Sequence, residues 1–215
     1  MIVAIDGPAA SGKGTLGKRI AAHYGFHHLD TGLLYRAVAD ALLESGRDIA
    51  DAAAAREAAR ALDIGALDEI RLRRRGLADA ASVVSAHGPV REALLDMQRN
   101  FARRRPGAVL DGRDIGTVVC PEADVKLFVT ATAEERAVRR ARELRTAGLA
   151  VDEGAILDDI RRRDLRDMNR PLAPLRPAAD AILLDTTKLD IDAAFRAAID
   201  LIGRARSESG VRRGP

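Results

Sequence analysis

Ile2-Val3-Ala4-Ile5-Asp6-Gly7-Pro8-Ala9-Ala10-Ser11-Gly12-Lys13-Gly14-Thr15 opens the chain and decides how the rest of it folds. Four consecutive apolar residues stop at an acid and meet a glycine. That is the pattern of a short strand, buried on both faces, running into a turn. The turn is spaced G-x-x-x-x-G-K-x-T, and Lys13 to Ala22 continues as a helix. A glycine-rich link of this kind curls its backbone N–H groups toward one point, where phosphate oxygens can accept them. The positive end of the following helix faces the same point. Lys13 adds a mobile point charge for the β- and γ-phosphates. Thr15 supplies the hydroxyl nearest the phosphate and Mg²⁺ region. The strict phosphate-loop pattern has Ser or Thr directly after the lysine; here Gly14 intervenes. All nine residues, Gly7 to Thr15, form the expected nucleoside triphosphate site.

Working outward, the same strand pattern recurs at His27–Asp30, Ala108–Asp111, Asp124–Val129 and Ala181–Asp185. Helical spacing of apolar residues fills 33–43, 51–62, 88–104, 153–168 and 191–205, and 133–147 reads as a helix with a solvated, charged face. Thr31 and Thr132 stand where N-caps belong. Short buried strands alternating with helices predict an α/β fold, a parallel sheet covered by helices on both faces. Residues 64–80 fit one or two short strands or a turn, and 63–85 is the candidate for a small inserted lobe. The polar end, 207–215, is expected to be a mobile tail.

Composition narrows the class. A chain of 215 residues suits one domain with a small insert or lid. Hydrophobic residues at 47% and charged residues at 31% fit a folded, soluble chain. No apolar run approaches the ~18 residues of a membrane span, and the N-terminus lacks the basic flank and cleavage site of a signal peptide. A cytoplasmic monomer with no membrane partner is expected. The single cysteine, Cys120, excludes an internal disulfide and a four-cysteine zinc site and fits a reducing compartment. Net charge is only +3, and aromatics make up 3% with no tryptophan, which argues against a polymeric nucleic-acid partner. The four histidines have no metal spacing, since adjacent His27 and His28 would point to opposite sides of a strand. No protein metal ligand is expected.

Three further blocks sit where such a sheet binds ligands, beyond the carboxyl ends of its strands. They are Asp30-Thr31-Gly32-Leu33-Leu34-Tyr35-Arg36, Asp111-Gly112-Arg113-Asp114-Ile115-Gly116-Thr117, and Arg163-Asp164-Leu165-Arg166-Asp167-Met168-Asn169-Arg170. Arg163, Arg166 and Arg170 recur at three and four residues, a spacing that suits a lid, over about 158–172, clamping transferring phosphates. Asp111, ending its strand, can orient Mg²⁺ through water or cap the next turn.

With Val90-Arg91-Glu92-Ala93-Leu94-Leu95, these blocks resemble the bacterial cytidylate kinases of the nucleoside monophosphate kinase group, from Ile2 to about Leu201. The resemblance implies a three-layer phosphate-loop kinase fold with a five-stranded parallel sheet, and transfer of the ATP γ-phosphoryl to CMP or dCMP, with Mg²⁺ arriving on ATP. It implies that Arg36, Arg113 and Arg170 hold the 5′-phosphate of CMP, helped by Thr31 and Tyr35. Ser82, Arg91 and Asp114 would read cytosine, and Arg163 and Asp167 would meet the sugar. Lys13, Arg113, Arg166 and Arg170 would act on the transferring group. The chain departs from the family at Thr31, often serine, and at Met168, where a charged residue is common. Its 63–82 segment is also shorter than the family's three-stranded monophosphate-binding lobe.

Lys13→Ala is expected to abolish transfer while the protein stays folded, with a loss in kcat of order 10²–10³ or more, as for removal of one stabilising donor. Steady-state kinetics beside a circular dichroism spectrum check it: a folded variant with wild-type turnover removes the phosphate-loop assignment.

Overall fold

The computed structural model describes residues 1–74, 76–146 and 148–212. Arg75 of the 71–75 arginine cluster, Ala147 at the expected end of the 133–147 helix, and 213–215 of the expected tail lie outside them. The chain runs β1 (Ile2–Asp6), α1 (Lys13–Tyr24), β2 (His27–Asp30), α2 (Thr31–Glu44) and α3 (Ala52–Arg60). It continues through α4 (Glu69–Leu72), α5 (Leu77–Val84), α6 (Gly88–Ala102) and β3 (Ala108–Gly112). A short π-helical turn, Ile115–Val119, leads to β4 (Val125–Thr130), α7 (Ala133–Thr146), α8 (Glu153–Asn169), β5 (Ile182–Asp185) and α9 (Ile191–Arg212).

The five strands form one parallel sheet in the order β2-β3-β1-β4-β5. β1 lies at its centre, and Val3, Ala4 and Ile5 are fully buried. β3 is buried along its whole length. The edges are wetter: Leu183 on β5 and His27 on β2 are exposed. This gradient explains why the central strands read as unbroken apolar runs. One face of the sheet is covered by α1 and α9, through Leu16, Ile20, Ala198 and Ile202. The other carries α2, α3, α5 and α6, through Leu34, Val38, Ala55, Val84 and Leu94. Chain order reverses about β1, whose neighbours β3 and β4 lie on opposite sides, so the crevice for a ligand opens beyond its carboxyl end.

Asp6, ending β1, is buried and accepts the N–H groups of Ile115 and Gly116, each at 2.7 Å. Burial pushes its pKa up to about 6, against the opposing pull of these two donors. The contact ties the phosphate-loop strand to the loop after β3 and fixes where Arg113 and Asp114 stand.

The segment left between strand and turn is helical. Ile64–Ala66 is a 3₁₀ turn, and α4 and α5 follow, each short. Asp63 and Asp68 cap the first two through their side chains. At α2 the cap is Asp30, which accepts the N–H of Gly32 at 3.0 Å. Thr31 is displaced from that role because its hydroxyl donates instead to the carbonyl of Asp111 across the sheet, at 2.9 Å. Thr132 does cap α7, accepting from Glu135 N–H at 3.3 Å. α9 continues to Arg212, past its expected end at 205. Among the described residues no helix is long and apolar enough to cross a membrane.

Candidate active site

The phosphate loop is made possible by the absence of side chains. A Cβ at Gly7 would stand 2.0 Å from the carbonyl oxygen of Val129, with φ at +154°. Ala10 and Gly12 both take positive φ, 58° and 87°. For alanine this conformation is strained by about 1–2 kcal/mol, and such strain is typical of ligand clamps. Lys13, the first residue of α1, is nearly buried and curls back to donate to the carbonyl of Pro8 at 3.4 Å. Burial first, and the Arg113 charge second, push its pKa down to about 7. A polyanion in the loop would reverse both effects. Ser11 Oγ is buried and has no hydrogen-bond partner among the described residues.

A second cavity lies beside the loop, across the carboxyl ends of β2 and β3. Its walls include Thr31, Tyr35, Ser82, Arg113, Asp114, Arg163, Asp167 and Arg170, so eight sequence-predicted residues converge on it. Arg113 Nε donates to Asp167 Oδ2 at 2.9 Å, and Ser82 Oγ donates to Asp167 Oδ1 at 3.3 Å. Burial alone would raise the pKa of Asp167, but Arg113 and Arg163 outweigh it and hold the carboxyl below its usual range. Arg91 pairs with Asp114 and lies over the Tyr35 ring, 5.6 Å from its centroid. Arg170 donates to the other Asp114 oxygen at 3.2 Å and to the carbonyl of Ala173 at 2.5 Å. Arg163 Nε is buried without a hydrogen-bond partner among the described residues, and burial, then Arg113, lower its pKa to about 10. This crowding of cations about a buried guanidinium is the signature of a site for an anion.

The cavity measures only about 40 Å³, against the roughly 300–1,000 Å³ of small-molecule sites. Parting α5 and α8, which the Ser82–Asp167 contact joins across it, would widen the space for a nucleotide. A larger hollow of about 810 Å³ lies by Met1 and Arg103–Arg105, at the amino ends of the strands. The phosphate loop lies at the opposite, carboxyl ends of the strands, so size does not identify the site.

Two predicted residues lie apart from the cluster. Arg36, half-buried, donates instead to the carbonyl of Leu72 at the end of α4, at 3.1 Å. Arg166 is exposed and borders a neighbouring groove with Leu77, Ala80 and Val83. The reason is local: α8 ends at Asn169, and Arg170 is extended, with ψ at 138°, so helical spacing stops governing where its side chain goes.

Sequence reasoning missed Arg136. It falls within the helix read as solvated, yet it is only 4% exposed. Its guanidinium donates to the carbonyls of Ala131 (2.9 Å) and Ala9 (3.1 Å), and to both oxygens of Asp164 at 3.1 and 2.5 Å. One side chain thereby joins the phosphate loop to the lid helix. Ala133, Ala137 and Ala141, spaced at i+4, mark the packed face beside it and were the available signal. His28 was also missed: its Nε2 lies 2.8 Å from Asp111 Oδ2. Burial, then the charge of Asp30, raise the pKa of Asp111 against the pull of that hydrogen bond.

The family described as cytidylate kinase matches residues 3–204 of the chain. A cytidylate kinase from Methylocella silvestris is 63% identical over 205 residues, covering 95% of each chain. One from Rhodopseudomonas palustris is 59% identical over 207 residues, covering 96% of this chain and 98% of its own. The fold is also similar to that of an uncharacterized protein from Eubacterium ventriosum, at a TM-score of 0.51 and 16% identity, covering 94% of this chain and 98% of that one.

Because Arg170 and Arg166 share a helix end but not a site, lysine replacements should separate them. Arg170→Lys is expected to lower kcat/KM by about tenfold or more, since a point charge cannot reproduce a planar fork held between Asp114 and Ala173. Arg166→Lys is expected to cost less. Equal losses in the two variants would mean that closure brings Arg166 fully into the cluster.

Proposed function

The chain belongs to the cytidylate kinase family, and from that premise we propose how its residues divide the work of ATP-dependent phosphorylation of CMP and dCMP to CDP and dCDP. The observation that carries the proposal is the juxtaposition of a polyphosphate loop with a second, cation-lined cavity at the neighbouring strand ends. One site accepts the donor and the other the acceptor.

A nucleoside 5′-phosphate is largely dianionic at pH 7, because its second pKa is about 6. It is already a competent nucleophile and needs no general base. What it needs is to approach another polyanion in line. Lys13 and the loop N–H groups hold the donor phosphates. Arg113, Arg163 and Arg170 hold the acceptor phosphate, with Arg36 and Arg166 recruited as α4 and α8 close. Exclusion of water by that closure prevents plain ATP hydrolysis. Tyr35 and Thr31 shape the floor of the acceptor cavity.

Mg²⁺ would be held by the ATP phosphates, the Thr15 hydroxyl and, through water, Asp111, and it would neutralise charge on the transferring group. The fit rests on Asp111 Oδ1, which lies 3.8 Å from where a Cβ of Gly14 would be. One buried carboxylate and one hydroxyl are too few to hold the ion alone, but they suit one that keeps its waters and arrives with phosphates. The expected setting is a cytoplasmic monomer acting on small molecules, and the single cysteine fits a reducing compartment.

Base choice is assigned to Asp114, with Ser82 and Arg91 beside it. Cytosine presents an amino donor where uracil presents an acceptor, and an ionised carboxylate can only accept. Arg91 and Arg170 fix its orientation and leave lone pairs free. Uracil would leave a desolvated carboxylate unpaired, a mismatch of roughly 2–4 kcal/mol. Incubation with ATP, Mg²⁺ and a panel of acceptors, following ADP, is expected to show dependence on CMP or dCMP. ADP release without an acceptor, or with a hydroxyl acceptor instead, overturns the reading. Asp114→Asn is expected to lose CMP activity and narrow the CMP-to-UMP ratio in kcat/KM. An unchanged ratio moves base recognition to Asp167 or Ser82.

Lys13 provides a pH test. Its pKa is lowered to about 7 in the free protein, so near pH 8 most molecules hold a neutral amine. Bound phosphates restore the charge, and the proton must come from solvent. ATP binding is expected to take up close to one proton at pH 8 and little at pH 6. Calorimetry in buffers of different ionisation enthalpy measures it, and Lys13→Met should abolish the uptake.

A further inference from the structure

His28 and Gly17 have no part in the chemistry described so far, yet they meet beneath the phosphate loop. His28 lies on β2, two register positions from the Asp30–Asp111 pair that faces across β2 and β3. Its Nε2 is 2.8 Å from Asp111 Oδ2, and the two side chains are only 13% and 2% exposed. Gly17 sits mid-helix in α1, where glycine costs roughly 1 kcal/mol relative to alanine. A Cβ at Gly17 would stand 2.9 Å from His28 Nε2 and 3.5 Å from Asp111 Oδ2. The helix thus tolerates a poor helix former where the imidazole needs room.

We propose that His28 is a positioning residue for phosphoryl transfer: its Nε2–H holds Asp111 Oδ2, so that Oδ1 faces Gly14 of the phosphate loop. Gly17 is glycine to leave that imidazole its place. An ionised carboxylate only accepts, so the shared proton belongs to Nε2. Asp111 is buried beside a like charge, Asp30, across the strand pair. Without the imidazole its carboxylate would be free to turn away from Gly14. Partners that orient an ion-proximal carboxylate in this way typically change activity by 10- to 100-fold when removed.

The inference rests on the kinase reading, and the test separates the two. If the wild-type protein forms no ADP with CMP, the kinase reading itself fails. If the wild type turns over, His28→Leu, which keeps the bulk and removes the donor, is expected to lower kcat by about 10- to 100-fold. KM for CMP should stay within about twofold, because the acceptor cavity does not include His28. His28→Gln, which restores a donor, is expected to recover most of the loss. A readout without nucleotide comes from a double-mutant cycle in Tm. Gly17→Ala should lower Tm when His28 is present and raise it in a His28→Ala background, where the methyl group has space and helix propensity gains. An undiminished kcat in His28→Leu, a glutamine variant no better than leucine, or additive Tm changes in the cycle would each overturn the proposal.

Discussion

Two backbone N–H groups donating to one buried carboxylate hold the working end of this molecule together. Asp6 ends the central strand immediately before the phosphate loop, and Ile115 and Gly116 follow the acceptor-site pair Arg113 and Asp114. Were those N–H groups satisfied by water instead, the loop after β3 would be free to shift, and the donor and acceptor sites would lose their mutual register. The unfavourable burial of Asp6 is outweighed by what it organises: a sheet whose strand ends present two anion sites at a fixed spacing.

The second organising principle is charge held in pairs. Arg113 is matched by Asp167, Asp114 by Arg91 and Arg170, and Asp164 by Arg136. Buried ion pairs roughly break even against their desolvation, so these pairs contribute little net stability. Their value is that each guanidinium is already desolvated and oriented. An incoming phosphate exchanges for a carboxylate or adds to the fork, and the reorganisation at the moment of reaction is small. Arg163, whose buried Nε has no partner among the described residues, is the member of the set that awaits an acceptor.

Much of this was legible in the residues because the signals were local. Fully buried parallel strands leave apolar runs that end abruptly, and the phosphate loop needs glycine at position 7, where the backbone meets Val129. The blocks around Arg113 and Arg170 could be placed because they follow strand ends or a helix end. What escaped depended on partners far along the chain. Thr31 looked like a cap, but a carbonyl on β3 claims its hydroxyl and Asp30 caps instead. Arg136 looked solvated, because nothing in its own helix reveals Asp164 or the Ala9 carbonyl. The segment 64–80 has no clear period, since its helices are a turn or two long and are set by Asp caps and by contacts with α2. Arg36 was expected to face the phosphate but is held by the insert, at Leu72.

The narrowness of the acceptor cavity has a consequence for affinity. A space of about 40 Å³ holds a few water molecules at most, so the resting conformation is not the one that accepts a nucleotide. Only the fraction of molecules with α5 and α8 parted can bind, and the observed dissociation constant is the intrinsic one divided by that fraction. Tight substrate binding and a sealed reaction chamber therefore draw on the same equilibrium in opposite directions. Selection acting on the Ser82–Asp167 contact can raise the one only at the expense of the other.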